Sequence, residues 1–285
     1  MCPIQNLMTK IDGRAIAGKI LDELKQKPAP KRFLAVFLVG NDPASENFIK
    51  QKGKIAGQLG VDFRIYKIEP PVSNDQLKEE MRQVISSKLC GGAVLQLPLP
   101  AGLNASYVLN VIPPEKDVDV LSERSLGSFY NGRSKMLPPP VMVIEEIFRY
   151  LNIQMSSLKK VAVVGLGTLV GKPIASWFLG KVPEVFAFDK DSDFSVLKNA
   201  DVVVLGTGQA GLIKAEMLKK GAGVIDFGYG TSSDGKAKGD FDEESLEQTG
   251  EDYLSFYTPT PGGTGPILVA CLFRNFYSLS SGERS

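Results

Sequence analysis

Apolar positions between residues 12 and 26 recur at helical spacing, with Ile16, Ile20, Leu21 and Leu24 on one stripe, which predicts a first helix. Phe33–Val39 is an unbroken apolar run ending in Gly40-Asn41-Asp42-Pro43, the pattern of a buried strand entering a turn. Ser45 is the expected cap of the next helix, which carries Phe48, Lys52, Ile55 and Leu59 and stops at Gly60. Residues 61–68 predict a strand, 73–86 a helix opened by Ser73, and 92–97 a second buried strand. Pro98 and Pro100 close that strand, because proline has no amide to give a ladder. Strand and helix alternate, so a largely parallel sheet is expected.

Pro138, Pro139 and Pro140 read as a stiff segment before a helix through Val143, Ile147 and Leu151, and together they mark a connector into a second domain. Beyond it, residues 160–165, 184–189, 200–206 and 223–228 predict four short strands separated by helices. A last helix is expected from Pro266 to Tyr277, returning to the first domain. The chain has 285 residues, and single cores rarely grow beyond about 250, so two domains are expected. The division expected is 1–140 with 266–285 as a catalytic domain, and 141–265 as a Rossmann-like domain with a mostly parallel sheet. The fold class is α/β.

Net charge is +1 and the basic residues are scattered, so neither nucleic acid nor a membrane surface is expected as a partner, and small molecules are. No apolar run reaches the roughly 20 residues of a membrane span, and residues 1–10 carry no signal-peptide pattern. Cys2, Cys90 and Cys271 have no CxxC spacing, which argues against a disulfide framework or a zinc site and for a reducing, cytoplasmic setting. The chain has no histidine, which removes Ser-His and Cys-His nucleophile pairs and the commonest transition-metal ligand. Acid-base chemistry then falls to Lys, Asp, Glu, Tyr or Cys, and no metal is expected.

The strand expected at 160–165 runs into Gly165-Leu166-Gly167-Thr168-Leu169-Val170-Gly171 and a helix, and the next strand ends at Asp189. Glycines there let the backbone approach a pyrophosphate, whose charge is favoured at the helix N-terminus. An acid ending the second strand accepts hydrogen bonds from ribose hydroxyls, as expected of Asp189. A glycine turn chosen only for packing is the bland alternative; the strand, turn, helix, strand and acid in order disfavour it.

In the first half, Lys52 lies one helical turn beyond Phe48, Gln96 ends a strand, and Asp117 and Asp119 follow in Pro113-Pro114-Glu115-Lys116-Asp117-Val118-Asp119. These residues could converge on one cleft edge, where α/β folds place ligands. Taken singly, each is more often a solvated charge or a turn residue than a catalyst.

Four segments change those odds: residues 40–45 with Lys52 and Lys54, residues 96–100, residues 116–119, and Pro259-Thr260-Pro261-Gly262-Gly263-Thr264-Gly265-Pro266. In order and spacing the chain resembles, over almost its whole length, the bifunctional methylenetetrahydrofolate dehydrogenase/cyclohydrolase family. The resemblance implies that tetrahydrofolate one-carbon derivatives bind in an interdomain cleft. Hydride passes from the one-carbon bridge to a nicotinamide, and water then opens the methenyl product to 10-formyltetrahydrofolate. Lys52 would be the main acid-base group, tuned by Gln96, and Asp119, or failing it Asp117, would pair with the pterin. Phe48, Leu97 and Pro98 would contact substrate, and Gly262, Gly263, Gly265 and Pro266 would form a close backbone wall. Cofactor contacts would come from Gly165, Leu166, Gly167, Thr168, Val170 and Gly171, from Asp189 and Lys190, and from Thr207 and Gly208. A homodimer through the nucleotide domain is implied, with the apolar 182–188 region compatible with edge pairing.

The chain departs from the family's usual pattern at several positions. Phe48 stands where Tyr is usual, Val120 where Gly is, and Pro138-Pro139-Pro140-Val141 where Pro-Cys-Thr-Pro is common. Gly165-Leu166-Gly167 replaces Gly-Arg-Ser, and Asp189-Lys190 replaces a frequent His-Ser. Arginine is the natural partner of the 2′-phosphate of NADP, and a carboxylate repels it, so NAD is expected to be preferred over NADP unless Lys190 or Lys172 restores phosphate binding. Two alternatives remain: a folate- or nucleotide-binding relative that keeps one activity, and an unrelated small-acid dehydrogenase, which the 259–266 segment disfavours.

Overall fold

The computed structural model describes residues 8–281 apart from 232–234, 236 and 251. Along the chain run β1 (Thr9–Lys10), α1 (Gly13–Lys25), β2 (Phe33–Val39), α2 (Pro43–Leu59), β3 (Phe63–Ile68), α3 (Asn74–Ile85), β4 (Cys90–Leu95), α4 (Ala105–Leu109), α5 (Glu123–Tyr130) and α6 (Pro139–Tyr150). The second half continues with β5 (Lys160–Val164), α7 (Gly171–Phe178), β6 (Glu184–Phe188), β7 (Val202–Leu205), β8 (Ile213–Lys214), β9 (Gly223–Asp226), β10 (Gly230–Thr231), β11 (Ala237–Lys238), β12 (Phe241–Asp242), α8 (Leu246–Thr249), β13 (Phe256–Tyr257) and α9 (Thr264–Ser281). They form two α/β units: the stretch ending at Ala17 with Pro140–Leu268, and Gly18–Pro139 with the chain from Val269 onward.

The second of these units is built on a parallel sheet of order β3-β2-β4. Every residue of β2 and β4 is buried, as expected of parallel strands covered on both faces, and Phe37, Leu77, Met81 and Val108 fill the core. Helix α2 starts one turn earlier than Ser45 predicts. Its cap is Asp42, whose carboxylate accepts the Ser45 amide at 2.8 Å, with Pro43 in the first turn and Ser45 buried inside the helix. Proline suits that first turn because its missing amide is not needed there. The helix stops at Gly60, which takes φ of +67°. In α3, Ser73 and Gln76 cap each other's backbone reciprocally. Pro139 and Pro140 begin α6 itself and are not a rigid spacer before it, for the same first-turn reason.

The other unit carries a six-stranded sheet of order β1-β13-β9-β7-β5-β6, parallel throughout. Ala162, Val164, Val203, Leu205 and Val224 pack one core face. The chain leaves β5 for β6 on one side and returns to β7 on the other, so strand order reverses at β5. That switch point is where open α/β sheets bind ligands. Between β5 and β6 the chain forms α7, whereas the links after β6 and β7 use the 3₁₀ turns Phe194–Asn199 and Ala215–Met217. Helices were expected between all four strands; in these two links the tighter 3₁₀ turn stands in their place. Strand β1 has no hydrophobic pattern to announce it; it is held by pairing with β13. No described helix is long and apolar enough to cross a membrane.

Candidate active site

Helix α2 and the end of β4 bring Lys52 and Gln96 together in one unit. The Lys52 Nζ donates to Gln96 Oε1 at 3.0 Å, and Gln96 Nε2 donates to the Leu97 carbonyl at 2.7 Å. The second bond fixes which end of the amide faces the lysine, since a carbonyl could accept only the Nε2 side. The Gln96 backbone N–H donates to the Phe37 carbonyl at 2.9 Å, so strand β2 anchors the residue that holds Lys52. Burial pushes the Lys52 amine below the ordinary lysine value, against the attraction of Asp119. Asp119 is pushed up to about 6 by burial, against the pull of Lys52 and with added repulsion from Asp117.

The two aspartates divide their work. Asp117 is buried, and its oxygens accept the Leu121 amide at 3.1 and 3.2 Å and the Ser122 amide at 2.8 Å, so its carboxylate folds the turn. Asp119 is left facing the field of Lys52. Between them, the Val118 carbonyl accepts from Asn275 Nδ2 at 2.9 Å, and the same nitrogen donates to the Leu137 carbonyl at 2.9 Å. Asn275 on α9 thus pins the backbone beside Asp119, a contact spanning 157 positions that no local pattern announces. Phe48 and Leu97 are half-buried, and Pro98 is exposed.

In the other unit, a pocket of about 310 Å³ opens at the switch point. It is lined by Gly165, Leu166, Gly167, Asp189, Lys190 and Thr207 from the expected set, and by Val164, Asp191, Phe194, Gly206, Gln209 and Leu212 besides. Gly165 has φ of +90°, and a Cβ there would lie 2.6 Å from the Gly206 carbonyl oxygen; one on Gly171 would lie 1.8 Å from that of Gly165. Both glycines are demanded by the turn. At Gly167 a Cβ would meet nothing within 4 Å, so the protein does not itself require glycine there, while a ligand pressed against the backbone would. Thr168, Val170, Gly171 and Gly208 do not line this pocket; Val170 packs on Gly206, and Gly208 turns the loop with φ of +73°. The glycine loop and the N-terminal end of α7 fit a pyrophosphate, and Asp189 fits a ribose.

Asp191 was hidden from sequence reasoning. It lines the pocket with φ of +70°, a left-handed conformation that aspartate tolerates better than most side chains. The run Asp189-Lys190-Asp191 after a strand was the available signal.

Gly262, Gly263, Gly265 and Pro266 lie in the same unit as this pocket, not with Lys52. Gly262 has φ of +104°, and its carbonyl accepts the Gly13 amide at 3.0 Å. A Cβ on Gly263 would lie 2.5 Å from the Pro259 carbonyl oxygen, whereas one on Gly265 would meet nothing within 4 Å.

Residues 11–119 match the model of the tetrahydrofolate dehydrogenase/cyclohydrolase catalytic domain, and residues 138–283 that of the same family's NAD(P)-binding domain. The chain belongs to the tetrahydrofolate dehydrogenase/cyclohydrolase family. A Lactococcus lactis relative named Bifunctional protein FolD is 36% identical over 273 residues, covering 93% of this chain and 94% of the relative. The crystal structure of the bifunctional FolD enzyme from Campylobacter jejuni superposes with a TM-score of 0.89 at 28% identity, covering 96% of this chain and 99% of that one. A Trypanosoma brucei FolD complexed with NADP cofactor and inhibitor gives 0.87 at 25% identity, over 98% and 99%.

Within the tetrahydrofolate dehydrogenase/cyclohydrolase family, the departures of this chain acquire a physical meaning. Val120 occupies the position of a usual glycine with φ of +57°, where a β-branched side chain is strained, and its side chain is 1% exposed. Leu166 puts an apolar side chain at the pocket edge, and Asp189 and Asp191 set two carboxylates beside Lys190 there.

Proposed function

We propose that the chain oxidises 5,10-methylenetetrahydrofolate to the 5,10-methenyl compound with NAD(P)⁺ and hydrolyses that product to 10-formyltetrahydrofolate. The observation that carries this reading is the bond between Lys52 and Gln96, with Asp119 in the field of the same amine, in a chain of this family. Bound NAD(P)⁺ supplies the hydride acceptor.

The Lys52 amine, its charged form disfavoured by burial, takes a proton from the water attacking the methenyl carbon. As the bond from that carbon to the ring nitrogen breaks, the amine returns this proton to the nitrogen. The second proton of the attacking water leaves to solvent as the formyl carbonyl forms, and Gln96 holds the amine on line throughout. Ionised Asp119 accepts hydrogen bonds from the pterin amino group and ring N–H. Phe48 offers a ring face to substrate, Leu97 and Pro98 an apolar border, and Gly262, Gly263, Gly265 and Pro266 backbone without side-chain obstruction. Gly165, Leu166 and Gly167 of the glycine loop, with Thr207, seat the dinucleotide, and Gly171 and Gly208 shape the turns behind them.

NAD is preferred over NADP in this proposal. Asp189 and Asp191 line the pocket where a 2′-phosphate would need cations, and Lys190 is the one cation among the described residues that line it. A homodimer belongs to the same reading, supported by β6, which ends the sheet with an edge that no strand among the described residues pairs; so does a cytoplasmic setting.

The test is a spectrophotometric assay of methylenetetrahydrofolate oxidation and, separately, of methenyl hydrolysis, for the parent chain and Lys52→Met. The parent should show both activities. The variant should keep its circular dichroism and lose about 10²- to 10⁴-fold in hydrolysis, the usual worth of a positioned acid-base group. Near-normal hydrolysis by a folded Lys52→Met protein removes Lys52 from the mechanism, and absence of both activities in the parent removes the function.

A further inference from the structure

Thr207 and Gln209 form part of the nucleotide-pocket wall just after β7, with Gly208 turning the chain between them. That wall is held from behind by Asp240, which is wholly buried. Its Oδ2 accepts the Thr207 amide at 2.5 Å and the Gly208 amide at 3.3 Å. The backbone on either side of Asp240 continues the clamp: the Gly239 carbonyl accepts the Gly211 amide at 2.8 Å, and the Asp240 carbonyl accepts the Ile213 amide at 2.9 Å.

A second buried carboxylate stands behind the first. Asp226, at the end of β9, accepts the Gly228 amide at 2.6 Å on Oδ1 and the Phe241 amide at 2.9 Å on Oδ2, so it fixes the start of β12 directly after Asp240. Each carboxylate lies over a glycine of the other's segment. A Cβ on Gly228 would sit 2.1 Å from Asp240 Oδ1, and one on Gly239 would sit 2.2 Å from Asp226 Oδ2. Burial pushes both carboxyls up, Asp226 to about 7.

Asp240 Oδ1 has no hydrogen-bond partner among the described residues. A bond made only for stability would satisfy both oxygens or use a neutral side chain, because a buried acceptor left unpaired is costly. What the arrangement does secure is the conformation of two amides in a pocket wall.

We propose that Asp240 is a positioning residue for the dinucleotide, its carboxylate fixing the Thr207–Gly208 backbone against which the cofactor seats, with Asp226 holding Asp240 in place. The inference rests on reading this pocket as the NAD(P) site.

Calorimetric titration with NAD⁺ of the parent, Asp240→Ala and Asp240→Asn decides it, with methenyl hydrolysis and Tm measured alongside, because that hydrolysis uses no nucleotide. Asp240→Ala should weaken NAD⁺ binding tenfold or more and raise the dehydrogenase KM for NAD⁺, with hydrolysis within twofold of the parent. Asp240→Asn, which keeps one acceptor oxygen, should recover part of the affinity. If Asp240→Ala does not fold, Asp240→Asn carries the test, with at least threefold weaker NAD⁺ binding expected at unchanged hydrolysis. NAD⁺ affinity within twofold of the parent in the folded variants overturns the proposal, as does loss of hydrolysis in step with NAD⁺ binding. A parent that binds neither NAD⁺ nor NADP⁺ overturns the reading of the pocket itself.

Discussion

Lys52 and Asp119 are each driven toward neutrality by burial, and each draws the other back toward its charged form. For Lys52 this raises the fraction of free amine near neutral pH, which a general base needs. For Asp119 the sign runs the other way. Its carboxyl rises from the usual 3.8 to about 6, so its ionised form costs folding stability above that pH, and the cost is relieved as the pH falls through 6 toward 4. If the ionised form pairs with the pterin, KM for the folate substrate should rise as pH falls below about 6. Asp119→Asn should raise KM at every pH and flatten that dependence; a pH profile unchanged by the substitution excludes Asp119 as the titrating group. At this scale residue chemistry alone did not separate Asp119 from Asp117, and it was the family resemblance that put Asp119 first. Both carry the same carboxylate two positions apart, and only the three-dimensional path of residues 117–122 commits Asp117 to the amides of Leu121 and Ser122.

That turn also shows how an element absorbs a departure from the family pattern. Val120 pays for its left-handed backbone in strain of about 1–2 kcal/mol, while its buried side chain contributes roughly 1.5–3 kcal/mol of apolar burial. The two effects nearly cancel. In an ordinary core position glycine is less stable than alanine by about 0.5–1 kcal/mol. At 120 the order should invert: Val120→Gly should be more stable than Val120→Ala by about 1 kcal/mol, since alanine loses the packing and keeps the strain. Urea denaturation midpoints of the two variants measure this, and the ordinary order would show that the turn is unstrained. The elements themselves were largely legible, because continuous apolar runs mark β2 and β4 and reciprocal side chains mark the start of α3. Boundaries were less so. Asp42 and Ser45 are both good caps by composition, and Pro43, which favours the first turn, settles the choice in the structure.

For the whole molecule, the proposed acid-base group and the proposed nucleotide pocket fall in different units. Lys52, Gln96 and Asp119 belong to one unit, and the pocket bearing Asp189 and Asp191 to the other. Lys52→Met should therefore leave NAD⁺ affinity within twofold of the parent. The parent itself should show kcat/KM at least tenfold higher with NAD⁺ than with NADP⁺, and a tenfold preference for NADP⁺ would reject the charge argument. Raising ionic strength should narrow the gap, because salt screens exposed carboxylates such as Asp189.

By itself the sequence determined the alternation of strands and helices, the glycine turn after β5, and the short list of side chains able to do acid-base work in a chain without histidine. These are local properties: periodicity, backbone freedom and side-chain chemistry are written within a few positions of each residue. Tertiary structure alone decided that β1 joins β13, that Asn275 steadies the backbone beside Asp119, and that Asp240 reaches the Thr207 amide. Each of those joins residues tens to hundreds of positions apart, and such contacts exist only once the apolar faces have been buried and the remaining amides must find partners.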